Sequence, residues 1–127
     1  MNLQLTLPQE IEVMYIIPTI RRYFAVYMKE QGKSQKEIAL LLCIRESTVS
    51  QYINEKRGVL AKLNDWILAE IKKSAAIIKT KEDVIKEMQR ILKKIRTTKA
   101  ICDIHKQFSH IPVKCNPHKL GCSNVYS

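Results

Sequence analysis

The sequence predicts an all-α protein, and three observations carry that reading. Apolar residues recur at intervals of three, four and seven across the second half of the chain: Leu60, Leu63, Ile67, Ile71 and Ile78, then Val84, Met88, Ile91 and Ile95. Ser34 and Glu37, and again Thr80 and Asp83, stand at the spacing by which a side-chain oxygen and a carboxylate satisfy orphan backbone N–H groups at a helix start. Pro8 suits a first helical turn, and Gly32 suits the position just past a helix end. A chain of 127 residues is long enough for one core that buries roughly two thirds of its unfolded surface.

Within that class the expected organisation is an N-terminal domain over residues 1–58, a helical hairpin or dimerisation region over 59–100, and a short Cys/His-rich irregular tail over 101–127. The stretch LPQEIEVMYIIPTIRRYFAVYMKEQG opens with Pro8 and carries Ile11, Met14, Tyr15 and Pro18 along one helical trace. Pro18 should kink or split that trace, because it lacks an N–H and crowds the turn before it. The second piece, residues 19–31, places Ile20, Phe24, Tyr27 and Met28 at helical spacing and stops at Gly32. The opening MNLQLTL fits a short strand or an arm equally well.

Residues 34–57, SQKEIALLLCIRESTVSQYINEKR, read as two short helices about a tight turn. Ile38, Ala39, Leu41 and Leu42 supply the buried side of the first, with Ala39 small where the second must cross closely. Ile44, Val49 and Ile53 return apolar side chains to the same core. Glu46, Ser47, Thr48, Ser50, Gln51 and Asn54 then face outward, as short hydrogen-bonding groups able to reach base edges in a major groove. Lys36, Lys56 and Arg57 stand where they could meet phosphates.

This segment resembles the Xre (Cro and phage repressor) class of helix-turn-helix regulators, in which a run like SQxEIAxLLGVxxSxVSQYxxGKR is usual. Gln35, Ala39, Leu41, Leu42, Ile44, Ser47, Val49, Ser50 and Arg57 occupy the matching positions, over about a fifth of the chain. The resemblance implies double-stranded DNA as partner and a contact set of Ser34, Gln35, Lys36, Arg45, Glu46, Ser47, Thr48, Ser50, Gln51, Asn54, Lys56 and Arg57. Two positions depart from the pattern. Cys43 stands in the turn where Gly is usual to allow a positive φ, so that it carries some strain or the turn differs slightly, and its side chain is a buried small hydrophobe or a thiol at the DNA-reading turn. Arg45 stands where Ser or Thr commonly caps the second helix, leaving Glu46 to compensate through the helix dipole.

The formal net charge of +10 favours a polyanionic partner. Arg90, Lys93, Lys94, Arg96 and Lys99 form an acid-free run that could track a DNA backbone or could be the solvated face of a helix. No stretch reaches the roughly 18 to 20 apolar residues of a membrane span, and the N-terminus lacks a signal-peptide pattern, so no membrane and a cytoplasmic location are expected. In that compartment clustered cysteines are more often ligands than disulfides.

Three of the four cysteines and all three histidines fall within the 21 residues from Cys102 to Cys122. Cys102 and His105, and again Cys115 and His118, have Cys-x2-His spacing, and Cys122 follows. A tetrahedral zinc ion accepts thiolate and imidazole ligands of this kind, which makes zinc the leading expectation. A 4Fe-4S cluster on Cys102, Cys115 and Cys122 with His105 is the alternative, and ordinary metal-free side chains are the third reading. His110, on a looser spacing, is read as a surface or packing residue. Taken whole, a PxEIxxxYIxPxIR helix, an Xre-like motif and a Cys-x2-His-bearing end resemble small archaeal predicted transcriptional regulators, and that resemblance implies a C-terminal metal or redox site.

The expected function is therefore a homodimeric, sequence-specific transcription regulator that responds to redox state or metal through its tail. Two such helices as those after Gly58 could form an antiparallel hairpin or a dimer seam, and two recognition helices read a palindrome better than one. The alternative is a non-specific architectural DNA- or RNA-binding protein with a structural zinc. An enzyme is disfavoured, since the sequence has no Cys-x-x-Cys pair, no paired carboxylates near the tail and no glycine-rich phosphate loop among its three glycines.

Overall fold

Residues 7–54, 61–98 and 100–108 are described by a computed structural model, and every regular element among them is helical. In chain order these are α1 (Pro8–Ile11), a π-helical turn (Glu12–Ile16), α2 (Ile17–Glu30), α3 (Gln35–Leu42), α4 (Glu46–Asn54), α5 (Asp65–Ile77), α6 (Lys81–Arg96) and α7 (Ala100–Phe108). None is long and apolar enough to cross a membrane.

Pro18 does not interrupt the helical run from Pro8 to Glu30. The chain widens ahead of it instead: Glu12–Ile16 is one π turn, and the Ile17 N–H donates to the Glu12 carbonyl five residues back. The wider turn absorbs the missing donor and the crowding of the proline ring, the usual setting of a π-bulge. It also shifts the register. Ile11 and Ile16 are both fully buried and then Ile20, Phe24 and Met28 follow at intervals of four, whereas Met14, expected on the buried trace, is exposed and Tyr15 is half-buried.

α2 ends as its Gly32 suggested. Gly32 takes φ +100°, the Lys33 N–H donates to the Met28 carbonyl at 3.0 Å and the Gly32 N–H to that of Lys29 at 3.1 Å. That pair of bonds is a Schellman motif, which turns the chain sharply into α3.

The helix expected from residue 59 starts later. Asn64 is its N-cap and Asp65 its first residue, with residues 61–64 irregular; Leu60 lies outside the described residues. Ile67, Ile71 and Ile78 are fully buried as their spacing required. At Thr80 the capping box is complete, with the hydroxyl accepting from the Asp83 N–H at 3.1 Å and the Asp83 carboxylate accepting from the Thr80 N–H at 3.2 Å. The pairings Ser74–Glu87 and Glu70–Arg90 show that α5 and α6 form an antiparallel hairpin.

One apolar cluster joins residues from Ile11 to Ile104, and so crosses the boundaries expected at 58/59 and 100/101. Ile91 and Ile95 sit in this cluster, and Val84 and Met88 pack against it. The heptad-spaced side chains of α6 therefore fill the chain's own core rather than an open dimer seam. Residues 101–108, expected in the irregular tail, instead belong to α7, which packs on α1 and α6 through Ile101 and Ile104.

Candidate nucleic-acid interface

α3 and α4 are positioned from below by Ile38, Ala39, Leu42 and Val49, all buried, with Leu41, Ile44, Tyr52 and Ile53 packed around them. Ser34 caps α3 by accepting from the Glu37 N–H at 3.1 Å. The reciprocal half of the expected capping box is absent: the Glu37 carboxylate accepts from the Ser34 hydroxyl at 3.5 Å and not from its backbone N–H.

Cys43 occupies the turn with φ 56° and ψ 42°, the left-handed conformation that glycine adopts most easily. The Ile44 N–H donates to the Ala39 carbonyl at 3.1 Å across this turn, so the strained residue closes the end of α3 in the manner of a glycine. Its side chain is exposed, which corrects the buried alternative and leaves a solvent-facing thiol between the two helices. At the start of α4 the Arg45 carbonyl accepts from the N–H groups of Thr48 and Val49 at 3.0 and 3.1 Å. Glu46 lies in the first turn, where a carboxylate favours the helix dipole.

The outer side of α4 presents Glu46, Ser47, Gln51 and Asn54, all exposed. Thr48 and Ser50 are half-buried at its edges, and the Asn54 amide donates to the Ser50 hydroxyl at 3.2 Å. Beside this strip lie Ser34, Lys36 and Arg45, exposed, and Gln35, half-buried. The structure thus brings the candidate DNA contacts from 34 to 54 together on one hairpin, with Lys56 and Arg57 outside the described residues. A polar strip with free donors and acceptors on a helix seated by Val49 can present hydrogen bonds to base edges, while lysine and arginine at its margins meet phosphates.

The acid-free basic run does something else. Arg90 donates to Glu70 at 2.7 Å, to the Ser74 hydroxyl at 2.6 Å and to Glu87 at 3.1 Å, while Ser74 in turn donates to Glu87 at 2.7 Å. Lys94 pairs with Glu70 at 3.1 Å. Arg96 holds the half-buried side of the π turn by pairing with both oxygens of Glu12. Arg90, Lys94 and Arg96 of this run make ties between helices, while Lys93 is exposed and Lys99 lies outside the described residues. The hydrogen bonds from Arg90 and then Lys94 hold the Glu70 carboxyl below its ordinary range. Sequence spacing did not point to Glu70 and Glu12, because they come from elements other than α6, whereas Glu87 stands three residues before Arg90 on α6 itself.

Cys102 and His105 lie one turn apart on α7. Cys102 is half-buried against the core and His105 is 3% exposed. Cys115, His118 and Cys122 lie outside the described residues, and among the described residues no group of three or more His, Cys, Asp or Glu side chains could hold a metal. Two residues that the sequence did not single out fix the segment after α4. The Thr19 hydroxyl accepts from the Ala61 N–H at 3.1 Å, and Gln107 on α7 bonds to both backbone groups of Lys62.

A buried-sided, outward-polar helix pair about a left-handed turn defines a helix-turn-helix. Residues 25–62 match the helix-turn-helix family model, and this part of the chain is a helix-turn-helix of the Xre/Cro type, a DNA-binding class of transcription regulators. No curated protein and no solved structure matches the chain.

Proposed function

We propose that this protein is a sequence-specific transcription regulator that binds double-stranded DNA as a homodimer. The observation that carries the proposal is the polar outer strip of α4, seated on buried Val49 inside the matched segment. In this reading Ser47, Thr48, Ser50 and Gln51 meet base edges, with Glu46 and Asn54 at the ends of the strip. Ser34, Gln35, Lys36, Arg45, Lys56 and Arg57 meet the backbone. Dimerisation supplies the second recognition helix, so the site is an inverted repeat whose half-sites lie about one helical turn apart.

The same proposal gives the C-terminal Cys102, His105, Cys115, His118 and Cys122 the role of a metal site, with zinc ahead of a 4Fe-4S cluster. The chemistry of thiolates and imidazoles in Cys-x2-His pairs supports it. Bound metal would join α7 to the residues that follow it. Regulation through this site requires that metal-loaded and metal-free forms differ in DNA affinity.

Selection of duplexes from a random pool tests the core of the proposal. Enrichment of an inverted repeat is the expected result; equal retention of all sequences, falling with salt, would point to an architectural nucleic-acid binder instead. For the metal site, protein purified without oxygen should contain zinc or iron with sulfide, and Cys102→Ser should lose it; unchanged metal content in that variant removes Cys102 from the ligand set.

A further inference from the structure

We propose that α7 acts as a brace on the end of the matched helix-turn-helix segment, with Gln107 as its positioning residue. Gln107 uses its whole side-chain amide on one backbone unit: its Oε1 accepts from the Lys62 N–H at 2.9 Å and its Nε2 donates to the Lys62 carbonyl at 3.0 Å. A paired contact of this kind fixes both the position and the rotation of the peptide it holds, as one rung of a strand pair does. Lys62 is the last residue of the matched helix-turn-helix segment, whereas Gln107 lies well outside it. The brace therefore joins the DNA-reading unit to a helix that the unit itself does not contain.

The neighbouring residue is held from the opposite quarter. The buried Thr19 hydroxyl donates to the Tyr15 carbonyl at 2.6 Å and accepts from the Ala61 N–H at 3.1 Å. Thr19 fixes Ala61 to α2, and Gln107 fixes Lys62 to α7, so two adjacent residues are held on both sides just ahead of α5. α7 is a firm platform for this, because Ala100, Ile101, Ile104 and His105 are buried on its inner side. Base-edge hydrogen bonds weaken steeply with small displacements, while phosphate contacts tolerate them. Loosening Lys62 should therefore cost discrimination before it costs general affinity. The same connection ties α7, which carries Cys102 and His105, to the end of the matched segment.

The inference rests on the DNA-binding reading, and the experiment separates the two. A duplex selected by the wild-type protein and a random duplex are titrated with wild type, Gln107→Ala and Gln107→Glu, alongside amide hydrogen exchange and thermal melts of each. Gln107→Ala should bind the selected duplex about three- to tenfold more weakly, the random duplex unchanged, with faster exchange at Lys62. Gln107→Glu keeps the acceptor and loses the donor, so it should fall between. A Gln107→Ala protein that melts lower but keeps the wild-type ratio between the two duplexes would make Gln107 a purely structural contact and overturn the brace. Failure of the wild type to select any duplex would instead overturn the sequence-specific reading, and the brace with it.

Discussion

The α3–α4 pair and the α5–α6 hairpin are built from similar materials and spend their polar groups in opposite directions. On α5–α6, Arg90, Lys94, Glu70, Glu87 and Ser74 close on one another, and the side chains are tied before any partner arrives. On α4, among the described residues, Ser47, Thr48 and Gln51 have no side-chain hydrogen-bond partner and stand over a buried Val49. Much of the basic run is therefore engaged in the fold, while the strip proposed to read bases carries few charges. In the proposed reading a net charge of +10 draws DNA in from a distance, and the short hydroxyl and amide groups of α4 tell sequences apart.

The contrast can be broken most forcefully from inside the hairpin. Ile95 is fully buried on α6, and Ile95→Ala should cost about 2 to 5 kcal/mol of stability in urea unfolding, while Ser47→Ala on the reading strip should stay within about 0.5 kcal/mol. Comparable losses in both would mean that α4 is packed as tightly as α6. Arg90→Ala comes next. It leaves Glu70, Glu87 and Ser74 short of donors at a part-exposed site, and about 1 to 2 kcal/mol of stability should go, with DNA affinity unchanged once the protein is folded. Because Arg90 and Lys94 lower the Glu70 pKa, the network's contribution is fully present above the ordinary carboxylate range and is lost as the pH falls through and below that range. Arg90→Ala should flatten that acid dependence, and an unchanged acid limb would remove Glu70 from it.

The smallest effect sharpens the turn within the reading hairpin. Cys43→Gly relieves a left-handed residue with an exposed side chain and should raise stability by about 1 kcal/mol, seen as a melting point higher by a few degrees. A lower melting point would mean that the thiol makes a contact worth more than the strain.

Much of this architecture was legible in the sequence where a single helix or a single turn decides the outcome. The Thr80–Asp83 box, the Gly32 stop, the buried isoleucines of α5 and α6 and the outward strip of α4 all follow from spacing of three and four residues. The departures arise where distant segments meet. Met14 is exposed because the π turn ahead of Pro18 inserts a residue into the register, a shift that no pattern of apolar residues announces. The basic run was ambiguous because Glu12 and Glu70 approach it from other helices, and Gln107 carried no signal at all, since its partner is a backbone unit 45 residues away. Cys43 shows the converse: a strained left-handed residue was one of the two turns that the missing glycine allowed, and its exposure was not announced by the sequence.

The central claim, that α4 reads bases while the charged hairpin holds the fold, is tested most directly by measuring Gln51→Ala on two duplexes. Affinity for a duplex selected by the wild-type protein should fall by about 1 to 3 kcal/mol, with affinity for a random duplex of equal length nearly intact. Equal loss on both, or no loss on either, would contradict it.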